Sequence, residues 1–208
     1  MRKLNKSKDK RKPILLHTLH AFLRALDSVT TSRYDRCMFK AIFLTMFYAF
    51  LRVGEVATTS NKSQEHLLRR TNVTLFKRNS KLSSMTITFD TFKHNLKRPV
   101  TIKIPARKAN ICPVAHMAAY LAMRGDEEGP LFRDSSKKAI TPHTIGKMIR
   151  TCALACNLDP TNFKPHSFRI GAATTCAQRG IPYHIIQQLG RWSSNAYLNY
   201  IGCPTFIH

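Results

Sequence analysis

The stretch His166–Tyr200, HSFRIGAATTCAQRGIPYHIIQQLGRWSSNAYLNY, decides how the rest of the chain is read. It sets His166 and Arg169 three residues apart, then a turn Gly190-Arg191-Trp192, then a phenol at Tyr200. Pro165 stands just before the histidine, and proline is well tolerated in the first turn of a helix. In a helix starting there, residues i and i+3 share a face, so imidazole and guanidinium stand together near its N-terminus. That end carries unpaired backbone N–H groups and the positive pole of the macrodipole, which favour an anion. The stretch therefore reads as a phosphate site with a nucleophile attached. Tyr197 and Tyr200 both offer a phenol, on a short last helix that Ser193 or Ser194 can cap.

Charge says what kind of phosphate. The 208 residues hold 34 Lys plus Arg against 11 Asp plus Glu, a formal charge of +23. A surplus of that size repels itself in the folded state and calls for a polyanionic partner, nucleic acid before any other. An anionic membrane would need a basic amphipathic anchor or a lipidation signal, and neither stands out. The longest apolar run, Ala41–Leu51, is about half a bilayer span and reads as a buried helix. The length allows one well-cored domain.

Six cysteines, Cys37, Cys112, Cys152, Cys156, Cys176 and Cys203, form no C-x-x-C pair. Cys152 and Cys156 sit at helical i,i+4 spacing beside Ala153, Leu154 and Ala155, which points to core packing rather than metal. Met1–Lys12 carries seven Lys or Arg and one Asp with no apolar segment behind it, so it is not a secretory signal. It reads as a disordered basic arm, and KDKRKP within it as a nuclear-import signal. Free thiols in a reducing compartment follow.

The remaining pattern predicts a mainly α chain with a small antiparallel β-sheet. Leu16, Leu19, Phe22, Leu23 and Leu26 repeat at helical spacing between Ile14 and Ser28. A second helix runs from Ser32 to about Leu51, apolar nearly all round in its later half, as befits the middle of a domain. Arg52, Gly54 and Glu55 follow it. A guanidinium leaving a buried helix must meet a carboxylate such as Glu55 or face an external anion. Alternation then marks strands at Met85–Phe89 and Val100–Ile104, with an earlier one around Asn72–Phe76. Between the first two lies a basic hairpin tip, TFKHNLKR, at 91–98. Helices are predicted from Pro113 to a stop at Gly125, from Thr141-Pro142 to about Cys156, from Pro165 to near Gly180, and from Pro182 to Gly190. The acidic cluster Asp126–Glu128 reads as a loop tip away from any polyanion.

Arg52 in FYAFLRVGEV, a lysine on a hairpin, His166-x-x-Arg169, the Leu-Gly-x-Trp turn, and Tyr200 eight residues past Trp192 occur in this order. With these elements the chain resembles the catalytic domain of the tyrosine recombinases, the phage-integrase-like superfamily, from about Pro13 to Ile201. HSFRIGAA and LGRWSSNAYLNYI are most similar to recombinases of eukaryotic mobile elements, the DIRS-like retrotransposons and Cryptons.

The resemblance implies a site-specific recombinase or integrase that cuts and rejoins double-stranded DNA through a 3′-phosphotyrosyl intermediate, with neither metal nor other cofactor. It implies Tyr200 as nucleophile, and Arg52 and Arg169 on the non-bridging oxygens of the phosphate. Lys93 is implied as the acid that protonates the leaving 5′-oxygen, with Lys97 on the same tip as its rival. His166 would exchange a proton with the phenol or bond the phosphate, and Trp192 would pack beneath it and offer its indole N–H. Where many relatives place a His directly after Leu-Gly, this chain has Arg191. The implied layout is the arm 1–12 and a catalytic domain 13–208, lacking the upstream core-binding domain that the family usually carries. Self-association on DNA and, in a eukaryote, a nuclear location follow from the same likeness. Two other readings stay open: a DNA-binding derivative that no longer cuts, and a type IB topoisomerase, which uses a similar residue set.

Overall fold

A computed structural model describes residues 11–59, 64–90, 99–107, 111–199 and 201. The helices are α1 (Leu16–Val29), α2 (Arg33–Tyr48), a single turn α3 (Val53–Val56), α4 (Pro113–Arg124), α5 (Pro142–Ala155), α6 (His166–Gln178) and α7 (Tyr183–Gly190). The strands β1 (Val73–Arg78), β2 (Lys81–Phe89) and β3 (Val100–Pro105) form one antiparallel sheet in the order β1-β2-β3. This is the mainly helical chain with a small sheet that the patterning predicts. Among the described residues no helix is long and apolar enough to cross a membrane.

The organising element is α2. Its residues Met38, Phe39, Ala41, Ile42, Phe43, Leu44, Met46 and Phe47 are all buried, on every side of the helix. It packs on α1, α4 and α6. Phe43 at its centre meets the rings of Phe22 on α1, Phe39 on its own helix, and Phe168 on α6. Ser32 caps it by accepting the Asp35 N–H at 3.2 Å. It stops at Tyr48, short of the expected Leu51, because Phe50 takes a left-handed backbone with φ 52°. An aromatic residue there costs about 1–2 kcal/mol, and the strain has a use described below.

The strand pair β1-β2 is a tight hairpin through Asn79 and Ser80, both at positive φ as a primed two-residue turn requires. β1 is the earlier strand expected around Asn72–Phe76, faint in the sequence because it is mostly exposed and does not alternate cleanly. β2 pairs with β3 from Ser84↔Pro105 to Phe89↔Val100. Positions 91–98, and with them Lys93 and Lys97, lie outside the described residues, as do Tyr200, Cys203 and most of the basic arm. The acidic cluster is a loop, as expected, and it binds cations of its own chain. Asp126 pairs with Arg70 at 2.7 Å, and Glu127 with Arg133 at 3.0 Å and Lys137 at 2.8 Å. Cys152 is buried in the core, where burial pushes its thiol up to about 12.

The lead into α1 is pinned to α6. The Ile14 N–H donates to the Ser167 carbonyl at 3.0 Å, and a Cβ placed on Gly171 would lie 1.9 Å from the Ile14 carbonyl oxygen. Gly171 is therefore a contact between two backbones. Gly171→Ala should lower stability by about 3 kcal/mol, the upper end of an overpacking penalty, because the atom it strikes is main chain. A denaturant midpoint equal to that of the parent would refute this.

Candidate functional site

Arg52 sits at the N-cap of α3, with Glu55 three residues on. The Glu55 side chain reaches back, its Oε2 accepting the Arg52 backbone N–H at 2.9 Å. Its Oε1 accepts from the Arg52 guanidinium at 3.1 Å. Glu55 is thus the carboxylate partner foreseen for Arg52. The other amino group of Arg52 donates to the Arg191 carbonyl at 3.1 Å. Arg52 remains 26 % exposed while Glu55 is 2 % exposed, so the arginine stands between a buried carboxylate and solvent.

Arg169 enters from the first turns of α6. It is 1 % exposed. Its two amino groups donate to the carbonyls of Phe50 and Gly190, and its Cζ lies 4.0 Å over the Trp192 ring. The left-handed turn at Phe50 aims that carbonyl at Arg169, which accounts for the strain tolerated there. His166, half-buried, occupies the first position of α6, one turn before Arg169.

The turn after α7 holds both arginines. Gly190 supplies a carbonyl to Arg169, Arg191 a carbonyl to Arg52, and Trp192 a ring to Arg169. The Leu-Gly-x-Trp spacing has a steric cause. A Cβ on Gly190 would lie 1.6 Å from the Trp192 ring, so only glycine lets the indole fold back over the helix end. Trp192 also meets Phe50 edge-on at 6.0 Å and Tyr197 at 5.8 Å.

Arg191 is the member whose place in the cluster the sequence left unread, and with it the sharing of Glu55 between two guanidiniums. Arg191 takes a left-handed conformation, φ 54° and ψ 46°, as the cap of α7. Its side chain turns inward, donating to Glu55 Oε2 at 2.8 Å and to the Ala49 carbonyl at 3.1 Å, with its Cζ 3.8 Å over the Phe89 ring. Burial pulls this guanidinium below its ordinary value and Glu55 raises it again. An acid three residues after an N-cap position is the signal that could have revealed α3; Arg52-x-x-Glu55 shows it, in a segment too short for periodicity.

The structure thus brings together Arg52, Arg169 and Trp192 of the expected set, and adds Glu55 and Arg191. Lys93 and Tyr200 fall outside the described residues. Phe89, the last residue of β2, is under Arg191. Tyr197 is 5 % exposed, its ring packed in the core. Asn195–Asn199 form a 3-10 turn, not the capped α-helix expected, since so few residues close few i→i−4 bonds. Among the described residues no group of His, Cys, Asp or Glu is placed to hold a metal ion.

Residues 14–200 match the family model described as the phage integrase family. The chain is similar to the XerH site-specific recombinase bound to a palindromic difH substrate in a post-cleavage complex. That match has 15% identity and a TM-score of 0.67, covering 96% of this chain and 51% of that one. It is similar to the XerA recombinase at 18% identity and TM-score 0.61, over 95% of this chain and 61% of the other. A third likeness, at 15% identity and TM-score 0.58, is to the Tn1549 transposon integrase in complex with circular intermediate DNA, over 97% of this chain and 65% of the other. At these identities the likeness is one of fold, and the chain spans about half the length of the XerH protein. No curated protein sequence matches it. A family model spanning nearly the whole chain, together with the arginine cluster it encloses, shows that this protein belongs to the phage integrase family.

Proposed function

We propose that this chain is the catalytic part of a site-specific DNA recombinase, cutting and rejoining strands through a tyrosine. The observation that carries the reading is the convergence of Arg52 and Arg169, from opposite halves of the chain, on the one turn that leads to the tyrosine segment.

The chemistry follows from the groups. The Tyr200 oxygen attacks the phosphorus of a DNA phosphodiester, forming a 3′-phosphotyrosyl bond while the bond to the 5′-oxygen breaks. Lys93 or its neighbour Lys97 supplies the proton to that 5′-oxygen. A second 5′-hydroxyl reverses the step, so the bond energy is conserved. A free phenol has a pKa of about 10, so forming tyrosinate at pH 7 costs roughly 4 kcal/mol. Cations around the phosphate, with His166 able to take the phenolic proton, lower that cost. The non-bridging oxygens gain charge as attack proceeds, and forked guanidinium groups suit them better than ammonium does. Arg52 is partly exposed and Arg169 is buried, so an approaching phosphate meets Arg52 first.

Tyr197 packs on Trp192 inside the core, which supports Tyr200 as the nucleophile. HSFRIGAA and LGRWSSNAYLNYI support a place among DIRS-like or Crypton recombinases of mobile elements. The basic arm supports a nuclear site of action, and joining two DNA sites calls for more than one protomer.

The test uses nicked duplex DNA carrying the chain's own flanking sequences. A covalent protein–DNA adduct resistant to detergent is expected, lost completely in Tyr200→Phe with DNA binding retained. An adduct that persists in Tyr200→Phe and vanishes in Tyr197→Phe would move the nucleophile. DNA binding with no adduct from the parent would leave a non-cutting derivative. Relaxation of supercoils by a monomer, without joining of two sites, would point to a topoisomerase.

A further inference from the structure

We infer that Arg191 is a positioning residue that sets the Arg52 guanidinium for a phosphate; this rests on the recombinase reading above. Glu55 has two oxygens and three donors. Oε1 takes the Arg52 guanidinium, while Oε2 takes both the Arg52 backbone N–H and the Arg191 guanidinium. Holding Oε2 from a second side fixes the plane of the carboxylate and hence the direction in which Oε1 points. Arg52's other amino group rests on the Arg191 carbonyl. Both anchors of the Arg52 fork therefore trace to one residue.

Arg191 is itself held firmly enough to act as a reference. Its guanidinium is bonded to the Ala49 carbonyl at the end of α2 and stacked on Phe89 at the end of β2. Its side chain is 2 % exposed. Its backbone is left-handed, a conformation strained for a residue with a Cβ, and such strain persists where the surroundings over-determine it. That backbone conformation turns the Arg191 carbonyl toward Arg52 while its side chain reaches Glu55 behind.

Charge gives Arg191 a second effect through the same contact. Arg52 with Glu55 alone is a neutral pair that offers a phosphate little. Two guanidiniums sharing one carboxylate leave a net +1, and Arg169 raises the cluster to +2. A phosphodiester enters with about one negative charge and gains more in the pentacovalent state. Arg191 thus lets Arg52 be clamped by an acid without being neutralised by it. The turn between α7 and the tyrosine segment becomes one mechanical unit with the phosphate cluster.

The test is single-turnover cleavage of the nicked duplex by the full chain, across a range of protein concentrations. Arg191→Met should cut at least about 100-fold more slowly at saturation, with half-saturation within about threefold of the parent. Arg191→Lys, which returns the charge but not the fork, should recover to within about tenfold of the parent rate. In an Arg52→Lys background the Arg191→Met change should cost less than about threefold, since the group it positions is gone.

A residue that merely supports the fold would cost the same factor in both backgrounds, and that result overturns the assignment. So does cleavage by Arg191→Met at the parent rate. If Arg191→Met fails to melt cooperatively, Arg191→Lys carries the comparison, its loss expected only when Arg52 is present. A parent chain that binds DNA but forms no Tyr200-dependent adduct refutes the recombinase reading itself, and the Arg191 assignment with it.

Discussion

Arg169→Ala is expected to abolish DNA cleavage and, in the same protein, to lower stability by about 2–6 kcal/mol, because it leaves two buried carbonyls without their donor. The two effects have different origins. Cleavage fails because a guanidinium is missing where phosphate charge grows, and a loss of that kind amounts to orders of magnitude in rate. Stability falls because Arg169 is the internal strut between the Phe50 and Gly190 carbonyls and the floor under Trp192. Each buried carbonyl left unsatisfied costs about 1–3 kcal/mol. Arg52→Ala should separate the two effects, with cleavage lost to a similar degree but a much smaller change in stability. Arg52 is partly exposed, and Glu55 keeps Arg191 as its partner. DNA affinity should fall little in either variant, because the remaining basic surface supplies most of the binding, and it should weaken steeply as salt rises. Denaturant melts beside the adduct assay check this, and a fully stable Arg169→Ala protein would contradict the buried arrangement.

Glu55→Ala should be as severe by the opposite route. It leaves the Arg52 and Arg191 guanidiniums facing one another with the buried carboxylate gone, at a cost of about 3–5 kcal/mol. Net charge rises by one, so DNA affinity at low salt should hold or increase while cleavage falls at least about 100-fold. The informative variant is the pair. Glu55→Gln with Arg191→Met removes both buried charges, and the double variant should be more stable than Glu55→Gln alone, a coupling that only residues in contact show. If the two single changes simply add, Glu55 and Arg191 do not act on each other in solution.

Much of this protein was legible in advance where its side chains answer to local rules. α2 announces itself by being apolar all round, α4 and α5 by proline after a cap position, β2 and β3 by alternation. The cluster was legible only as a set of residue types. Arg52-x-x-Glu55 shows a salt bridge in the sequence, and so it proved, but not that a third group would share the carboxylate. β1 stayed faint because most of it faces solvent and nothing compels its side chains to alternate. The tyrosine segment was read as a helix from a serine cap, yet it is too short for capping to outweigh tertiary packing, and Trp192 holds Tyr197 in a 3-10 turn.

By itself, the order of residues determined the helical class and the small sheet, and it carried two expectations: a polyanionic partner, from the charge of +23, and a shared site for Arg52, His166, Arg169 and Trp192. These depend on spacing, propensity and summed charge, which a linear chain already displays. Only the tertiary structure decided that Arg169 is interior, that Arg191 turns inward to Glu55, and that one turn after α7 grips both arginines. Those facts arise from left-handed residues at Phe50 and Arg191 and from contacts between segments far apart in the chain. No local periodicity encodes a carbonyl's direction or the partner a buried carboxylate will find.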